Sequence, residues 1–490
     1  MFEMQIQNLI PSRNWKSCPV KLTLLCSVLF LGRLACEAAD SGVFTVLDYG
    51  AKGDGTNDDT AAIQKAIDAC GTAGGGQVLL PSSRTFLTGA LTLCSGIDFH
   101  LANGAVLKGS PNWRDYGKPG ALLFAKDAKN ITVSGNGTID GNDRAVWQKL
   151  ADEEAGGNVN KEGWWPQSFT GDWWPFGKLP NELQKGGGRP MMMIFIGCER
   201  MRMRDFTLQN APSWTVHLVG CQDVAIESIS IRNAWDVANN DGIDLDHCRD
   251  VRITNCYIEC ADDTIVIKNT PNFASYGGSA RITVTGCVLK SRSSALKVDE
   301  IYTQPGARDI VFADCVVSRS NRGLSIQSLD EGDIENVLFA NITVETSFSP
   351  HKWWGAAEPI HISHFPRTPQ TKLGRVRNIR FSNILCHGEN GIFLLGWTNS
   401  PLENIVLDNV RVEIAKTSDV PGGFYDERPK GLFRGIFETK LAGIYARDIN
   451  GLSLRHTEVV WGKPLDKTNG KGLDQKNVKN LEGELLIMRD

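Results

Sequence analysis

The stretch Val224-Ala225-Ile226-Glu227-Ser228-Ile229-Ser230-Ile231 is one copy of an eight-residue phrase that returns along the chain. In each copy apolar residues recur and the fifth residue is Asn, Asp, Ser or Gly. Each copy begins 26 to 31 residues after the last, apart from one interval of 42. Because a single coil cannot bury its apolar face alone, such a period predicts a β-solenoid. The other copies are Val251–Ile258, Ile282–Leu289, Ile310–Val317, Val337–Val344, Ile379–Cys386 and Ile405–Val412.

The register of this repeat aligns a second strand in each coil. The third and fifth residues of these strands are apolar and point inward, which leaves the second, fourth and sixth on the outer face of a parallel sheet. Polar groups far apart in sequence thus become neighbours on adjacent strands, about 4.8 Å apart. The aligned strands are Asp241–Asp246, Asp263–Lys268, Ser294–Asp299, Arg322–Gln327 and Glu358–Ser363.

The repeat runs through most of the 490 residues, so we predict one elongated domain over residues 40–490. Asp58-Asp59-Thr60 followed by Ile63, Ala66, Ile67 and Cys70 predicts an amphipathic helix that caps the open end of the solenoid. The formal net charge is −4 and no basic run is present. We therefore expect no nucleic-acid partner.

Residues 1–38 have the pattern of an export signal, with Lys16 and Lys21 before the apolar stretch Leu22–Gly32 and small residues near Ala38. A short membrane anchor is the alternative, since the segment before the apolar stretch is long and Arg33 follows it. Under the signal interpretation the protein is secreted, or periplasmic in a Gram-negative source. It then has no membrane contact after cleavage, and we expect a monomer.

Two insertions interrupt the repeat, at about residues 143–189 and 346–357. Long loops on a regular scaffold commonly carry binding groups. Their tryptophans suit stacking on sugar rings, or they pin the loops to the coils. These tryptophans are Trp147, Trp164, Trp165, Trp173, Trp174, Trp353 and Trp354.

Three cysteines, Cys256, Cys287 and Cys315, fall at one apolar position of three successive coils. This pattern favours a stack of small buried side chains, with disulfides as the alternative in an exported protein. No Cys-x-x-Cys pair is present, so a zinc site is not expected.

Three carboxylates converge when the coils are stacked, namely Asp241 on one turn and Asp262 with Asp263 on the next. Like charges held this close repel, so stability does not explain the cluster. Clustered carboxylates can perform general acid and base chemistry, one protonated and the others ionised. The alternative is a row of solvated turn aspartates.

These residues resemble the polygalacturonase family of glycoside hydrolases, which are right-handed parallel β-helices. The similarity spans roughly residues 44 to 460, and the three-aspartate signature is its most specific part. The matching segments are Asp48–Gly55, Arg189-Pro190, Ala211–Trp214, Asn239–Gly242 and Ala261–Asp263.

The resemblance implies hydrolysis of a glycosidic bond with inversion, in a pectin-like or related acidic polysaccharide. Asp262 would protonate the leaving oxygen, and Asp241 with Asp263 would activate the attacking water. The carboxyl groups of inverting enzymes stand about 6.5–9.5 Å apart. No metal or other cofactor is expected, because this chemistry demands none.

The chain departs from the family pattern at two motifs. Ser294 stands where the Gly-His-Gly histidine is expected, and Ser325-Ile326-Gln327 replaces the Arg-Ile-Lys motif associated with the substrate carboxylate. Other polar groups on the same face are predicted to bind substrate instead. These are Lys297, Arg322, His361, Lys268, His217 and Asn239.

Three alternatives stay open at this level. A glycosidase of the same family could act on another glycan, such as rhamnogalacturonan or a neutral or sulfated polysaccharide. A β-helix polysaccharide lyase would use Ca²⁺ or a strong base, and a non-catalytic β-helix would bind glycan without turnover. The acid cluster favours the hydrolase.

Overall fold

The computed structural model describes residues 42–155, 189–349, 353–428, 432, 435–463 and 470–489. Residues 41–490 form one compact unit. The export-signal prediction for residues 1–38 lies outside the described residues, as do Trp164, Trp165, Trp173 and Trp174. In the described part, no helix has the length and apolar character needed to cross a membrane.

The chain forms a right-handed parallel β-helix, which confirms the predicted fold class. Each strand pairs with the corresponding strand of the next coil, which gives three stacks of parallel strands. The first stack carries the aligned strands of the sequence analysis and consists of Leu91–Thr92, Ala121–Lys126, Met191–Ile196, Val216–Val219, Ile243–Asp246, Ile265–Asn269, Ser294–Ile301, Arg322–Ser328, Glu358–His364, Ile392–Leu395 and the start of Ile444–Trp461.

The second and third stacks complete each coil. The second consists of Val43–Thr45, Gly76–Leu80, Ile97–Leu101, Lys129–Ser134, Glu199–Arg204, Gln222–Glu227, Arg249–Thr254, Ser279–Thr285, Ala307–Ala313, Ile334–Thr346, Val376–Gly388, Leu402–Ile414, Ile444–Trp461 and Leu473–Arg489. The third consists of Asp54–Asp58, Thr85–Thr88, Val106–Gly109, Thr138–Asp140, Thr207–Gln209, Ser230–Arg232, Tyr257–Cys260, Val288–Ser291 and Val316–Ser320, and it continues into the long strands of the second.

The repeat in the sequence matches the observed register coil by coil. Val224 pairs with Val251, Val251 with Ile282, and the pairing continues to Ile405. The fifth residue of every copy is left-handed, with φ between 54° and 67°. Asn, Asp and Gly tolerate that conformation best, which explains why the phrase has them there.

Two helices flank the coils. The helix α1, Thr60–Thr72, buries Ile63, Ala66, Ile67 and Cys70 against the first strands, as the amphipathic pattern predicts. The helix α2, Asp143–Ala155, occupies the start of the first insertion. The first insertion was interpreted as a long loop, but its start is helical. Three short 3₁₀ helices are Val46–Tyr49, Trp113–Tyr116 and Pro271–Tyr276.

The interior of the coils is a continuous apolar column in which cysteines also stack. Cys256, Cys287 and Cys315 are buried free thiols, so the stacked-thiol interpretation holds for them. A second stack, Cys198, Cys221 and Cys248, lies on three coils nearer the N-terminus.

Among the described strands, one antiparallel pair is not part of the three parallel stacks. It pairs Phe424–Asp426 with Ile436–Glu438. We call residues 424–428 the covering segment, because they lie against the outer face of the first stack.

Candidate active site

The three predicted catalytic carboxylates come together at the entry to two neighbouring strands. Asp241 precedes the strand Ile243–Asp246, and Asp262 and Asp263 precede Ile265–Asn269. Ile243 pairs with Ile265, and the Gly242 amide donates to the Asp263 carbonyl at 2.9 Å. One oxygen from each carboxylate lies within 4.8 Å of the other two.

A buried asparagine ties the two turns together. The Asn240 side chain accepts a hydrogen bond from the Ala261 amide at 2.7 Å and donates to the Ala234 carbonyl at 2.7 Å. The hydroxyl of Ser291, one coil further, donates to the Asp262 carbonyl at 2.7 Å. These bonds fix the backbone that positions the acids, so the cluster is pre-organised.

The site holds its carboxyl groups in different protonation states. Burial, and then the neighbouring Asp263, raise the pKa of Asp262 to about 7. Burial also opposes ionisation of Asp263, but the Lys297 ammonium outweighs it and lowers the pKa of Asp263. Burial and the charge of Asp262 raise the pKa of Asp241 well above its usual value. Asp262 can therefore donate a proton while Asp263 accepts one.

Lys297 is the cation closest to this chemistry. Its Nζ lies 2.9 Å from Oδ2 of Asp263 and 2.8 Å from Oδ2 of Asp299. The side chain is almost completely buried. Lys297 thus lies in the site, but its contacts in this structure are with the protein's own carboxylates.

The carboxylates open into a cavity of about 280 Å³. Of the predicted substrate-binding residues, Asn239, Lys268 and Lys297 line it. Oδ1 of Asn239 accepts a hydrogen bond from Arg189 at 2.7 Å, which fixes its amide. The complete lining is Trp214, Asn239, Asp241, Asp262, Asp263, Lys268, Lys297, Asp299, Glu300, Trp354 and Arg367.

Each cation that lines the cavity is paired with carboxylates. Lys268 lies 3.3 Å from both Asp244 and Glu300 and 4.3 Å from the Trp214 ring centroid. Arg367 makes two bonds to Asp330, at 2.9 and 2.8 Å. The cavity therefore presents neutralised cations rather than a positive surface.

A family model described as "Glycosyl hydrolases family 28" matches residues 70–421, which is more than half of the chain. The chain belongs to glycosyl hydrolases family 28. It is a glycoside hydrolase with the parallel β-helix that the resemblance implies.

Known relatives agree with this assignment. A probable polygalacturonase of Vitis vinifera is 26% identical over 437 residues, 83% of this chain and 80% of that protein. An exo-poly-alpha-D-galacturonosidase of Dickeya chrysanthemi is 30% identical over 342 residues, 61% of this chain and 54% of that protein. The solved structure of an exopolygalacturonase from Thermotoga maritima matches in fold with a TM-score of 0.64 at 24% identity, covering 77% of this chain and 88% of that one.

His217 lies beside the cavity but does not line it. Its ring is edge-on to Trp214 at 4.9 Å, and Nε2 lies 3.5 Å from Oδ2 of Asp246. The side chain is buried. In this family 28 enzyme His217 therefore packs against Trp214, which lines the cavity.

The structure does not bring Arg322 and His361 into the cavity. Both are fully buried, Arg322 beside Glu358 and His361 stacked on Phe393 at 4.9 Å. Arg322 donates to the carbonyls of Asp426 and Arg428 in the covering segment. Both face outward in the predicted register, but the covering segment, about 100 residues downstream of Arg322, lies over that arginine.

The covering segment also explains the altered Arg-Ile-Lys motif. Nε2 of Gln327 donates to the Arg428 carbonyl at 2.8 Å, so this position holds protein and not substrate. Ser325, in the same strand, is fully buried. At the other altered motif, the Ser294 amide donates to Oδ1 of Asp263 at 3.0 Å.

Sequence reasoning missed several acids of the site. Asp244, Asp246 and Asp299 occupy outward positions of the aligned strands, so the register was a sufficient signal for them. Burial, partly offset by Lys268, raises the pKa of Asp244 to about 6. Glu300 lies near the end of the strand Ser294–Ile301 with a left-handed backbone, and Arg367 follows the strand Glu358–His364. Both lie beyond the six aligned residues of their coil, so the strand pattern gives no indication for them.

Among the described residues, the three predicted catalytic carboxylates also form the group whose oxygens are close enough for a metal ion. However, Lys297 already neutralises Asp263, and the raised pKa values of Asp241 and Asp262 favour protonated groups. Cations of the Mg²⁺ and Ca²⁺ type prefer ionised oxygen ligands. The donor set suits proton transfer better than metal binding.

Proposed function

We propose that this enzyme hydrolyses glycosidic bonds in a pectic polysaccharide, with Asp262 as general acid and Asp263 as general base. The observation that carries the proposal is the split between two adjacent carboxyls, one with its pKa raised to about 7 and one with its pKa lowered. Family 28 membership and the polygalacturonase relatives support the substrate class.

The proposed step uses both groups at once. Asp262 gives its proton to the leaving oxygen as the glycosidic bond breaks, and Asp263 takes a proton from the water that attacks the anomeric carbon. Asp241 was expected to share the base role. Its raised pKa favours the neutral acid, so we assign it as a hydrogen-bond donor that orients this water.

The stereochemical outcome is proposed as inversion, following the family resemblance. The nearest carboxylate oxygens, within 4.8 Å, are closer than the roughly 6.5–9.5 Å between carboxyl groups of inverting enzymes. Proton NMR of the first product decides this point. An α-linked substrate should release the β-anomer, and initial release of the α-anomer would contradict the proposal.

We further propose that the enzyme acts from chain ends. The covering segment and the loop that contains Trp354 are joined by a bond from Arg428 to the Trp353 carbonyl at 2.8 Å and one from the Gly355 amide to Asp426 at 2.8 Å. Together they obstruct the outer face of the first stack beyond the cavity. Early digests should contain monomer or one short product, and a ladder of intermediate oligomers would contradict end-on action.

In a second candidate function the reaction is the same, but the substrate is a different polysaccharide. All three cations lining the cavity are ion-paired, so the sugars at the scissile bond meet little net positive charge. This observation favours a backbone in which a neutral sugar alternates with an acidic one, such as rhamnogalacturonan.

The deciding experiment measures reducing-end release by the purified protein from polygalacturonate and from rhamnogalacturonan in parallel. Asp262→Asn serves as the inactive variant, with its thermal melting curve as a fold check. Release that disappears in Asp262→Asn supports the mechanism, and the better substrate distinguishes the two candidates. Equal release by both proteins would refute the assignment of Asp262.

The export-signal pattern of residues 1–38 supports a secreted enzyme, in keeping with a polysaccharide substrate. Monomeric state remains a prediction. Sedimentation equilibrium of the protein without residues 1–38 tests it.

A further inference from the structure

Two arginines next to the cavity lie against tryptophans and have no carboxylate partner. The Arg292 guanidinium lies 5.4 Å from the Trp235 ring centroid and 5.7 Å from that of Trp353. The Arg319 guanidinium lies 5.0 Å from the same Trp235 ring. Within the described chain neither arginine forms an ion pair, in contrast to Lys268, Lys297 and Arg367.

The position of this group borders the catalytic cluster. Arg292 follows Ser291, whose hydroxyl holds the Asp262 carbonyl at 2.7 Å. Trp353 packs against Ala238 and Ala261, the residues that precede Asn239 and Asp262. Ser291 and Trp353 therefore connect the two arginines to the backbone that carries Asn239 and Asp262.

The local charges leave this surface positive. Arg232, Glu259, Lys290 and Arg319 follow one another on neighbouring strands of the third stack. The single acid among them, Glu259, already accepts hydrogen bonds from Trp235 and Tyr257 and lies 4.0 Å from Lys290.

Asp236 is the acid whose charge acts on Arg292, and it is engaged by Arg144 at 2.5 Å. Partial burial of Arg292, and then the charge of Arg319, lower its pKa. The two guanidinium groups thus repel each other, and an anion between them would relieve that repulsion.

We propose that Arg292, Arg319 and Trp235 form a subsite for a carboxylate-bearing sugar of the substrate, outside the catalytic cavity. Guanidinium groups bind a carboxylate through paired, charge-assisted hydrogen bonds, and the indole supplies an apolar face for the sugar ring. The subsite rests on the proposed function. It accounts for recognition of an acidic glycan by an enzyme whose cavity cations are neutralised internally.

The test is binding to the inactive Asp262→Asn protein, measured by calorimetry with a galacturonate hexamer and with its fully methyl-esterified form. Adding Arg292→Gln and Arg319→Gln should weaken binding of the acidic hexamer about 10-fold or more, since charge-assisted bonds contribute roughly 1.5–3 kcal/mol. Binding of the ester should change little. Arg308→Gln, which removes an exposed arginine paired with Asp309, is the matched control and should leave both affinities unchanged.

Three results would overturn the subsite: unchanged affinity in the double variant, an equal loss for the ester, or an equal loss for a sulfated hexamer, which would indicate a general anion site. Melting curves of the variants exclude unfolding as the cause of weaker binding. Arginine-dependent binding without hydrolysis by the wild-type protein would support the subsite while contradicting the proposed reaction. The two proposals are therefore distinguishable.

Discussion

At the scale of single residues, Asp262 and Asp263 are adjacent in sequence, but the pKa of Asp262 is raised and that of Asp263 is lowered. Both are buried, so desolvation opposes ionisation of each. The difference is Lys297, 2.9 Å from Asp263, which makes one of the two acids ionise first. The sequence pattern placed Lys297 on the outer face, but only the contacts show that its ammonium pairs with Asp263.

The first prediction is a bell-shaped dependence of kcat/KM on pH. Asp262 must be protonated, so activity should fall as pH rises through about 7. Asp263 must be ionised, and its lowered pKa places the acidic limb below the usual range of an aspartate. Initial rates between pH 3 and 9 in buffers of constant ionic strength test both limbs. A rate that keeps rising above pH 8 would contradict the acid role of Asp262.

The second prediction concerns Lys297→Met. Without the ammonium, burial and the neighbouring acids would raise the pKa of Asp263, so the acidic limb should move to higher pH and the maximal rate should fall at least 10-fold. Lys297→Arg keeps the positive charge, so the acidic limb of its pH profile should stay at the wild-type position. A merely structural lysine would lower the rate without moving the limb, so the pH profile separates the two roles.

At the scale of the coil, the repeated phrase predicts more than strands. Its fifth position is left-handed in every copy, and in three successive coils it is Asn341, Asn383 and Asn409. Each amide donates to the residue on the preceding coil at 2.9 Å, which forms a ladder. The register, the inward residues and the capping helix could all be predicted, because they depend on local alternation and on a fixed period.

The third prediction separates the contribution of the ladder's side-chain hydrogen bonds to stability from that of its left-handed backbone positions. Asn383→Gly keeps the left-handed conformation and loses two exposed hydrogen bonds, at a cost of roughly 1 kcal/mol in the free energy of unfolding. Asn383→Ala adds the steric cost of that conformation, about 1–2 kcal/mol more. Urea unfolding midpoints rank the variants. Equal midpoints for Gly and Ala would show that the backbone conformation contributes nothing.

The covering segment is what sequence could not predict. The predicted register correctly directs Arg322 and His361 outward, but a segment about 100 residues after Arg322 covers that arginine, and no periodicity relates the two. Non-local contacts between an irregular segment and a sheet leave no local pattern. For the same reason, the loss of the Arg-Ile-Lys motif could be noted in the sequence but not explained.

The fourth prediction tests this segment through its buried anchor. The Asp426 carboxylate accepts bonds from the Gly355 amide at 2.8 Å and from Arg428 at 2.7 Å. Asp426→Ala leaves the Gly355 amide without its acceptor and the Arg428 guanidinium without its carboxylate partner, which should cost about 3–5 kcal/mol locally and open the end of the cavity. Products of intermediate length should then appear. Asp98→Ala is the control, since the Asp98 carboxylate also accepts two side-chain hydrogen bonds, from Ser134 at 2.6 Å and from Gln77 at 2.9 Å, but on coils near the N-terminus. The same product pattern in both variants would refute the role of the covering segment.

At the scale of the whole molecule, Asp262 and two buried histidines give opposite pH dependences of stability. Burial lowers the pKa of His361 and of His364 to about 4, so the unfolded chain binds more protons between pH 4 and 6.5. These histidines therefore make the fold less stable as pH falls through that window. Asp262 acts in the other direction, because its pKa is raised from 3.8 to about 7 on folding.

The fifth prediction is that Asp262→Asn stabilises the enzyme while abolishing its activity. In the wild type the folded state holds a proton on Asp262 that the unfolded chain has lost above pH 3.8, so this carboxyl lowers stability progressively from about pH 4 to about pH 7. Asparagine fills the same space without that penalty. The gain should be near zero at pH 4 and reach at most about 4 kcal/mol above pH 7. Melting temperatures from pH 4 to 8 measure it, with the exposed Asp419→Asn as the control. A constant difference across this range would mean that Asp262 keeps its usual pKa, and the assignment of the general acid would then fail with it.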